Sequence, residues 1–190
     1  MVHSLSVSAI NGMKNLANIL SIDPNAQLKA FKKGQIIQFE GDTNAATYFV
    51  KKGLLRSYII DGKGKEHIYM FALENWIIAD LEALEFNEPV QLFIDCLEDS
   101  EVVVFDKNCF IKADLPKEKV AENTQLLYRR IGKLQRRVLM LLGSPAVERY
   151  TYFLETYPEL PNRVPQRMIA TYLGITPQAL SSIRGKIARS

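Results

Sequence analysis

The chain has 190 residues, 47% hydrophobic and 24% charged, a balance that fits one or two globular domains and excludes a disordered or fibrous protein. Net charge is only +3, but residues 1–114 hold 11 Lys and Arg against 16 Asp and Glu (−5), whereas residues 115–190 hold 13 against 5 (+8). An acidic front and a basic back place contact with a polyanion in the back half, the alternative being a basic face that is merely solvated.

No apolar run approaches the roughly 18 residues of a membrane helix. The first basic residue, Lys14, follows the apolar positions instead of preceding them as in a signal peptide. The expected location is the cytoplasm, with no membrane partner. Cys96 and Cys109 fall in no metal or redox spacing and read as free core thiols.

Residues 5–20 read as a weak helix, with Leu5, Met13, Leu16, Ile19 and Leu20 apolar. From Gln27 to about Asp106 the pattern is short strands, rich in β-branched and aromatic residues, broken at Gly34, Gly41-Asp42, Gly53 and a hairpin turn Asp61-Gly62-Lys63-Gly64. Short strands at regular spacing predict a closed barrel or jelly roll.

The period then lengthens. Asp114 can cap a helix and Pro116 fits its first turn. Val120, Thr124, Leu127, Ile131, Leu134, Val138 and Leu141 recur at alternating steps of four and three, a heptad seam that predicts a homodimer. The alternative is one amphipathic helix packed on its own domain. Arg129, Arg130, Lys133, Arg136 and Arg137 lie off the seam. Gly143 and Pro145 end the helix, and the next has Val147, Tyr150, Leu154 and Tyr157 on one face.

The segment Gln166 to Gly185, QRMIATYLGITPQALSSIRG, fits a helix-turn-helix. Ile169 and Leu173 face the partner helix, Ala170 is small where the helices cross, and Gly174 turns the chain. Ile175, Leu180, Ile183 and Ile187 point inward. The opposite side of the last helix presents Gln178, Ser181, Ser182, Gly185 and Arg189. Gln178, Ser181, Ser182 and Arg189 are base-contact candidates, since Gln pairs with adenine and Ser can meet several bases. Arg163, Arg167, Thr176 and Lys186 are phosphate candidates. Arg184 lies toward the inner flank. Any wing after the last helix is minimal or absent.

Barrel, dimer helix and C-terminal helix-turn-helix together resemble the Crp/Fnr family of bacterial transcription regulators. The barrel stretch FKKGQIIQFEGDTNAATYFVKKGLLRSYIIDGKGKE and the C-terminal stretch RVPQRMIATYLGITPQALSSIRGKIA carry the resemblance, which covers nearly the whole chain. It implies an α+β chain of three parts. Residues 1–113 form a cyclic-nucleotide-binding-like jelly-roll sensor with an N-terminal helix, 114–143 a dimerisation helix, and 144–190 a DNA-binding domain of winged-helix type. The implied partners are double-stranded DNA with a two-fold operator, a second copy of the chain, a small-molecule effector and RNA polymerase.

The sequence departs from the family where the effector would sit. Members that bind cyclic AMP carry a phosphate cassette with a Gly-Glu pair and an Arg. Here Leu73 to Leu97 has no Gly and no Lys or Arg, and Val90 and Gln91 follow Pro89 where the Arg is expected. The stretch carries Glu74, Asp80, Glu82, Glu85 and Glu88 instead, which would repel a phosphate. Cyclic AMP is therefore not expected, and no cofactor is assigned. Phe71, Trp76, Val90, Gln91 and Phe93 mark the degenerate effector pocket. Phe71, Trp76, Phe86 and Phe93 would either line a site for an apolar ligand or be core.

Two cysteines are too few for an iron–sulfur sensor. Histidine occurs only at His3 and His67, which offers little to a haem and too few ligands for a cupin-like metal enzyme, so no enzyme is expected. A cyclic-nucleotide-responsive module without DNA activity is disfavoured by the basic back half. A constitutive DNA binder whose barrel is only a dimerisation scaffold stays open beside the sensor.

Overall fold

The computed structural model describes residues 23, 25–106 and 117–189. The weak helix expected at 5–20, His3, Cys109, and the Asp114 cap with Pro116 lie outside the described residues. The described residues fall into two compact units, one ending at Lys117 and one beginning at Glu118. Among them, no helix is long and apolar enough to cross a membrane.

The first unit is a two-sheet jelly roll. Its strands are β1 (Gln27–Phe31), β2 (Ile36–Gln38), β3 (Thr47–Lys52), β4 (Leu55–Ile60), β5 (Glu66–Ala72), β6 (Ile77–Ala79), β7 (Phe93–Cys96) and β8 (Ser100–Phe105), with a short helix α1 (Leu81–Phe86) after β6. They pair antiparallel in the orders β1-β8-β3-β6 and β2-β7-β4-β5. Alternation along each strand sets what meets between the sheets. Tyr48, Val50, Ile78 and Val102 from one sheet pack on Leu55, Ala72, Ile94 and Cys96 from the other. One residue out of step, Phe49 and Val103 turn to the other face and pack with Phe105. Cys96 is a free, buried thiol whose pKa burial pushes up to about 11.

Turns close where the sequence places them. At the β4–β5 hairpin, Asp61 Oδ1 accepts from the N–H groups of Lys63 (2.9 Å) and Lys65 (3.0 Å), and its Oδ2 lies 2.8 Å from His67 Nε2. His67, then the Lys65 and Lys63 amides, hold the Asp61 carboxyl down at about 2. Gly53, between β3 and β4, has φ +98°, and a Cβ there would lie 2.9 Å from Asp99 O and closer still to Ser100 Oγ. Only glycine lets β8 approach this turn.

The face of the second sheet opposite the core carries a buried ion cluster. Arg56 on β4 and Asp95 on β7 are direct cross-strand partners. Arg56 Nε donates to Asp95 Oδ1 at 2.9 Å and Nη2 to Oδ2 at 2.9 Å, while Nη1 reaches Glu66. The guanidinium also stands 4.2 Å from the centre of the Tyr58 ring. The Arg56 side chain is only 6% exposed and that of Asp95 11%, so neither charge tolerates loss of the other.

The second unit begins with the long helix α2 (Lys117–Gly143), followed by α3 (Ala146–Thr156), a 3-10 turn (Leu160–Asn162), α4 (Gln166–Leu173) and α5 (Pro177–Ile187). Along α2 the six apolar seam residues Val120, Leu127, Ile131, Leu134, Val138 and Leu141 are each 41–52% exposed. Thr124 is exposed too, and its hydroxyl donates back to Val120 O at 2.8 Å. About half of each of these apolar side chains is thus left uncovered among the described residues.

Three substitutions test this frame by urea unfolding. Gly53→Ala is expected to cost about 2–3 kcal/mol, from backbone strain plus the close approach of β8. Gly62→Ala, with open space around it, should stay within about 0.5 kcal/mol of wild type. Asp95→Ala is expected to cost about 3–5 kcal/mol by stranding Arg56; a loss below about 1 kcal/mol would mean that Glu66 alone carries the arginine.

A candidate nucleic-acid interface and the effector region

The C-terminal helices are held by an aromatic cluster. The rings of Phe153 and Tyr157 lie 5.5 Å apart, Phe153 and Tyr172 5.5 Å, and Tyr157 and Tyr172 5.7 Å. Tyr150 stacks on Phe153 at 6.3 Å. This corrects the face expected for α3. Phe153 is its central buried residue, Leu154 is half-buried, and Val147 is 44% exposed. The 150–153–157 spacing puts the buried line one residue away from the one that includes Val147 and Leu154.

The helix-turn-helix stands as expected. Ile169, Ala170 and Leu173 on α4 and Leu180 and Ile183 on α5 are buried, and Ile175 is half-buried. Gly174 has φ +65°, the left-handed conformation that ends α4. Thr176 caps α5, its Oγ1 accepting from Ala179 N at 3.2 Å, with Pro177 in the first turn. Ile187 is a correction. At 42% exposed it does not face inward, because it lies a full turn beyond Ile183, past the eight-residue helix that α5 packs on.

Buried Leu180 and Ile183 fix which side of α5 faces out. Gln178, Ser181 and Ser182 are exposed there and Gly185 is half-buried. Arg189 is exposed, and its Nε donates back to Gly185 O at 2.9 Å. Arg167, Thr176 and Lys186 are exposed, and the Thr176 hydroxyl keeps its own proton free to donate. Arg163 differs: its side chain is 18% exposed and sits 4.0 Å from Glu159. Arg184 is half-buried. The first turn of α5 holds no acid, and Arg184 and Lys186 sit in its last turn. The exposed face is therefore hydrogen-bonding at its start and cationic at its end.

In the barrel, the residues expected around an effector do not share one pocket. Phe71 pairs across β4 with Arg56, and Phe93 pairs with Tyr58 and stacks on it at 5.3 Å. Both therefore stand on the face opposite the core, whereas Trp76 packs against the core. Phe86 is 69% exposed. Val90 is buried with Ala45 and Ala83, and Gln91 is exposed.

Within the stretch where a phosphate cassette would lie, the decisive group is Asp80, only 3% exposed. Its carboxylate accepts from the backbone N–H of Ala83 (3.2 Å), Gln91 (2.8 Å) and Leu92 (3.0 Å). Backbone amides of the kind that would receive a ligand anion are already given to an internal one. Arg56, a buried cation of this unit, is committed to Asp95 and Glu66.

Three groups escape sequence reasoning. Asp80 reads in sequence only as one of five carboxylates. Arg137 reads only as a charge off the seam and Arg149 carries no reading, yet Arg137 Nη2 donates to Tyr172 O at 3.2 Å and Arg149 Nη1 to Leu173 O at 2.7 Å. No spacing signal marks them, since their partners are backbone carbonyls of a distant helix.

Residues 28–113 match the cyclic nucleotide-binding domain family. The chain is 26% identical over 175 residues to the regulatory protein HlyX of Actinobacillus pleuropneumoniae, a match covering 85% of this chain and 72% of that one. Among solved structures, FixK2 of Bradyrhizobium japonicum superposes with a TM-score of 0.70 at 24% identity, over 86% of this chain and 85% of its own. TTHA1359 of Thermus thermophilus, a transcriptional regulator of the CRP/FNR family, superposes with a TM-score of 0.65 at 19% identity, over 86% of each chain. The chain thus resembles these regulators in carrying a cyclic nucleotide-binding domain, a long helix and a helix-turn-helix in that order.

Proposed function

We propose that this chain is a sequence-specific DNA-binding transcription regulator that acts as a homodimer on a two-fold operator. The observation that carries the reading is helix α5. Leu180 and Ile183 anchor it, and its exposed side offers Gln178, Ser181 and Ser182 within a half of the chain whose net charge is +8. Gln178, Ser181, Ser182 and Arg189 read base edges. Arg167, Thr176 and Lys186 hold phosphates, and Arg163 joins them only if it leaves Glu159. The exposed seam from Val120 to Leu141 pairs two copies, which sets two recognition helices for two half-sites.

In this reading residues 1–113 are the sensor or scaffold, 114–143 the dimerisation helix and 144–190 the DNA-binding domain, working in the cytoplasm. A regulator, not an enzyme, is also what the relatives' names describe. RNA polymerase is a further partner in this scheme.

The barrel does not take cyclic AMP. Asp80 supports this, because a phosphate entering its place would meet a buried carboxylate holding the three N–H groups. The same observation favours a second reading beside that of a sensor for a non-phosphate effector: a constitutive DNA binder whose barrel only braces the dimer.

Gln178→Ala is expected to relax preference at one base pair by about 1–3 kcal/mol, measured on duplexes differing at that pair. Lys186→Ala should instead weaken all sequences alike and lower the slope of log affinity against log salt by about 1. If Gln178→Ala weakens every sequence equally, the base-contact assignment is wrong. Calorimetric titration of the full chain with micromolar cyclic AMP should give no saturable heat; a saturable isotherm would contradict the role given to Asp80.

A further inference from the structure

The long helix and the DNA-binding helices are joined covalently at a weak point. Helix α2 ends at Gly143, Ser144 follows, and Pro145 is extended at ψ 149° before α3 begins. A Gly-Ser-Pro joint does not fix an angle between helices by itself. Yet any use of α2 as a dimer seam requires that angle to be fixed, because the spacing of two recognition helices follows from it.

Polar contacts bridge the joint. Helix α4 ends in four carbonyls without helical partners of their own. Those of Ala170 and Thr171 are taken by the N–H groups of Ile175 (3.0 Å) and Gly174 (3.2 Å). The last two, Tyr172 O and Leu173 O, accept from Arg137 and Arg149 at 3.2 and 2.7 Å. Arg149 comes from α3, inside the DNA-binding domain. Arg137 comes from α2, on the other side of the joint. Its guanidinium also lies over the Tyr172 ring, 4.1 Å from the centre, so one side chain grips both the ring and the carbonyl of the same residue. Arg136 makes a parallel stack on Tyr152 at 4.6 Å. A Cβ at Gly174 would lie 3.6 Å from Leu141, so the last turn of α2 abuts the turn that leads into α5.

We infer that Arg137 is a positioning residue for DNA binding, tying the end of the dimer helix to the start of the helix-turn-helix turn and setting the angle of the recognition helix. The inference rests on the DNA-binding reading above. The aromatic cluster of Tyr150, Phe153, Tyr157 and Tyr172 holds α3 to α4, and buried Leu180 and Ile183 anchor α5, all without Arg137, so its loss frees orientation and leaves the domain folded.

The test uses the full chain and two readouts. Arg137→Ala should speed chymotryptic cleavage after Leu142 by about fivefold, as the joint opens more often. It should weaken binding to a duplex with two half-sites by about tenfold while leaving a duplex with one half-site within about twofold, since only simultaneous engagement needs the angle. Arg137→Lys can still donate to Tyr172 O but lacks the planar stack, and should fall between. Arg129→Ala removes the same charge from an exposed position of α2 and should change neither readout. Wild-type cleavage in Arg137→Ala, or equal losses on the two duplexes, overturns the inference. The cleavage readout needs no DNA, so a wild-type chain that binds no duplex refutes the DNA-binding reading separately.

Discussion

The apolar stripe along α2 is the constraint on which the rest depends. Six residues at heptad spacing remain 41–52% exposed within one chain. Burying the remainder of each contributes roughly 1 kcal/mol, and two copies together on the order of 10 kcal/mol. Association itself costs a comparable amount, roughly 4–15 kcal/mol. The seam is therefore strong enough to bring two chains together and not so strong that contacts elsewhere are irrelevant. In the proposed dimer, everything downstream inherits its geometry from this stripe: the two-fold relation of the recognition helices, the spacing of half-sites, and the need for a firm joint at Gly143 to Pro145.

Charge is distributed to suit that arrangement. The barrel half is acidic and even its buried cation, Arg56, is neutralised by Asp95 and Glu66. The helical half carries the excess of Lys and Arg, and it places uncharged hydrogen-bonding side chains, Gln178, Ser181 and Ser182, at the start of α5 where base edges would be met. In the proposed complex, affinity from charge and preference from hydrogen bonds would come from different residues of one short segment. Asp80 plays the opposite part in the barrel, where an internal carboxylate uses the amides that a bound anion would need.

Most of the fold was legible because its signals are local. The Gly-punctuated short strands, the Asp61 turn, the heptad period, and Ala170, Gly174 and Thr176 in the helix-turn-helix each report on a few neighbouring residues. What was not legible depends on chain segments far apart. Arg137 and Tyr172 are separated by 35 positions, and only the fold makes them partners. Asp80 is turned inward whereas Glu82 and Glu85 are exposed, a difference that a run of carboxylates does not reveal. Grouping Phe71, Trp76, Phe86 and Phe93 into one pocket assumed a common face. Register across β4, β5 and β7 puts Phe71 and Phe93 on the Arg56 side and leaves Trp76 on the core side. Helix edges were the other weak point, since Phe153 and Ile187 lie where a one-residue rotation or a missing turn of partner decides burial.

The most direct measurement is selection of duplexes from a random library by the full-length chain, followed by native mass spectrometry of the complex with the enriched sequence. The account predicts an enriched sequence with two-fold symmetry, bound by two chains per duplex. A library that emerges without enrichment, or a complex with a single chain on an asymmetric site, would contradict it.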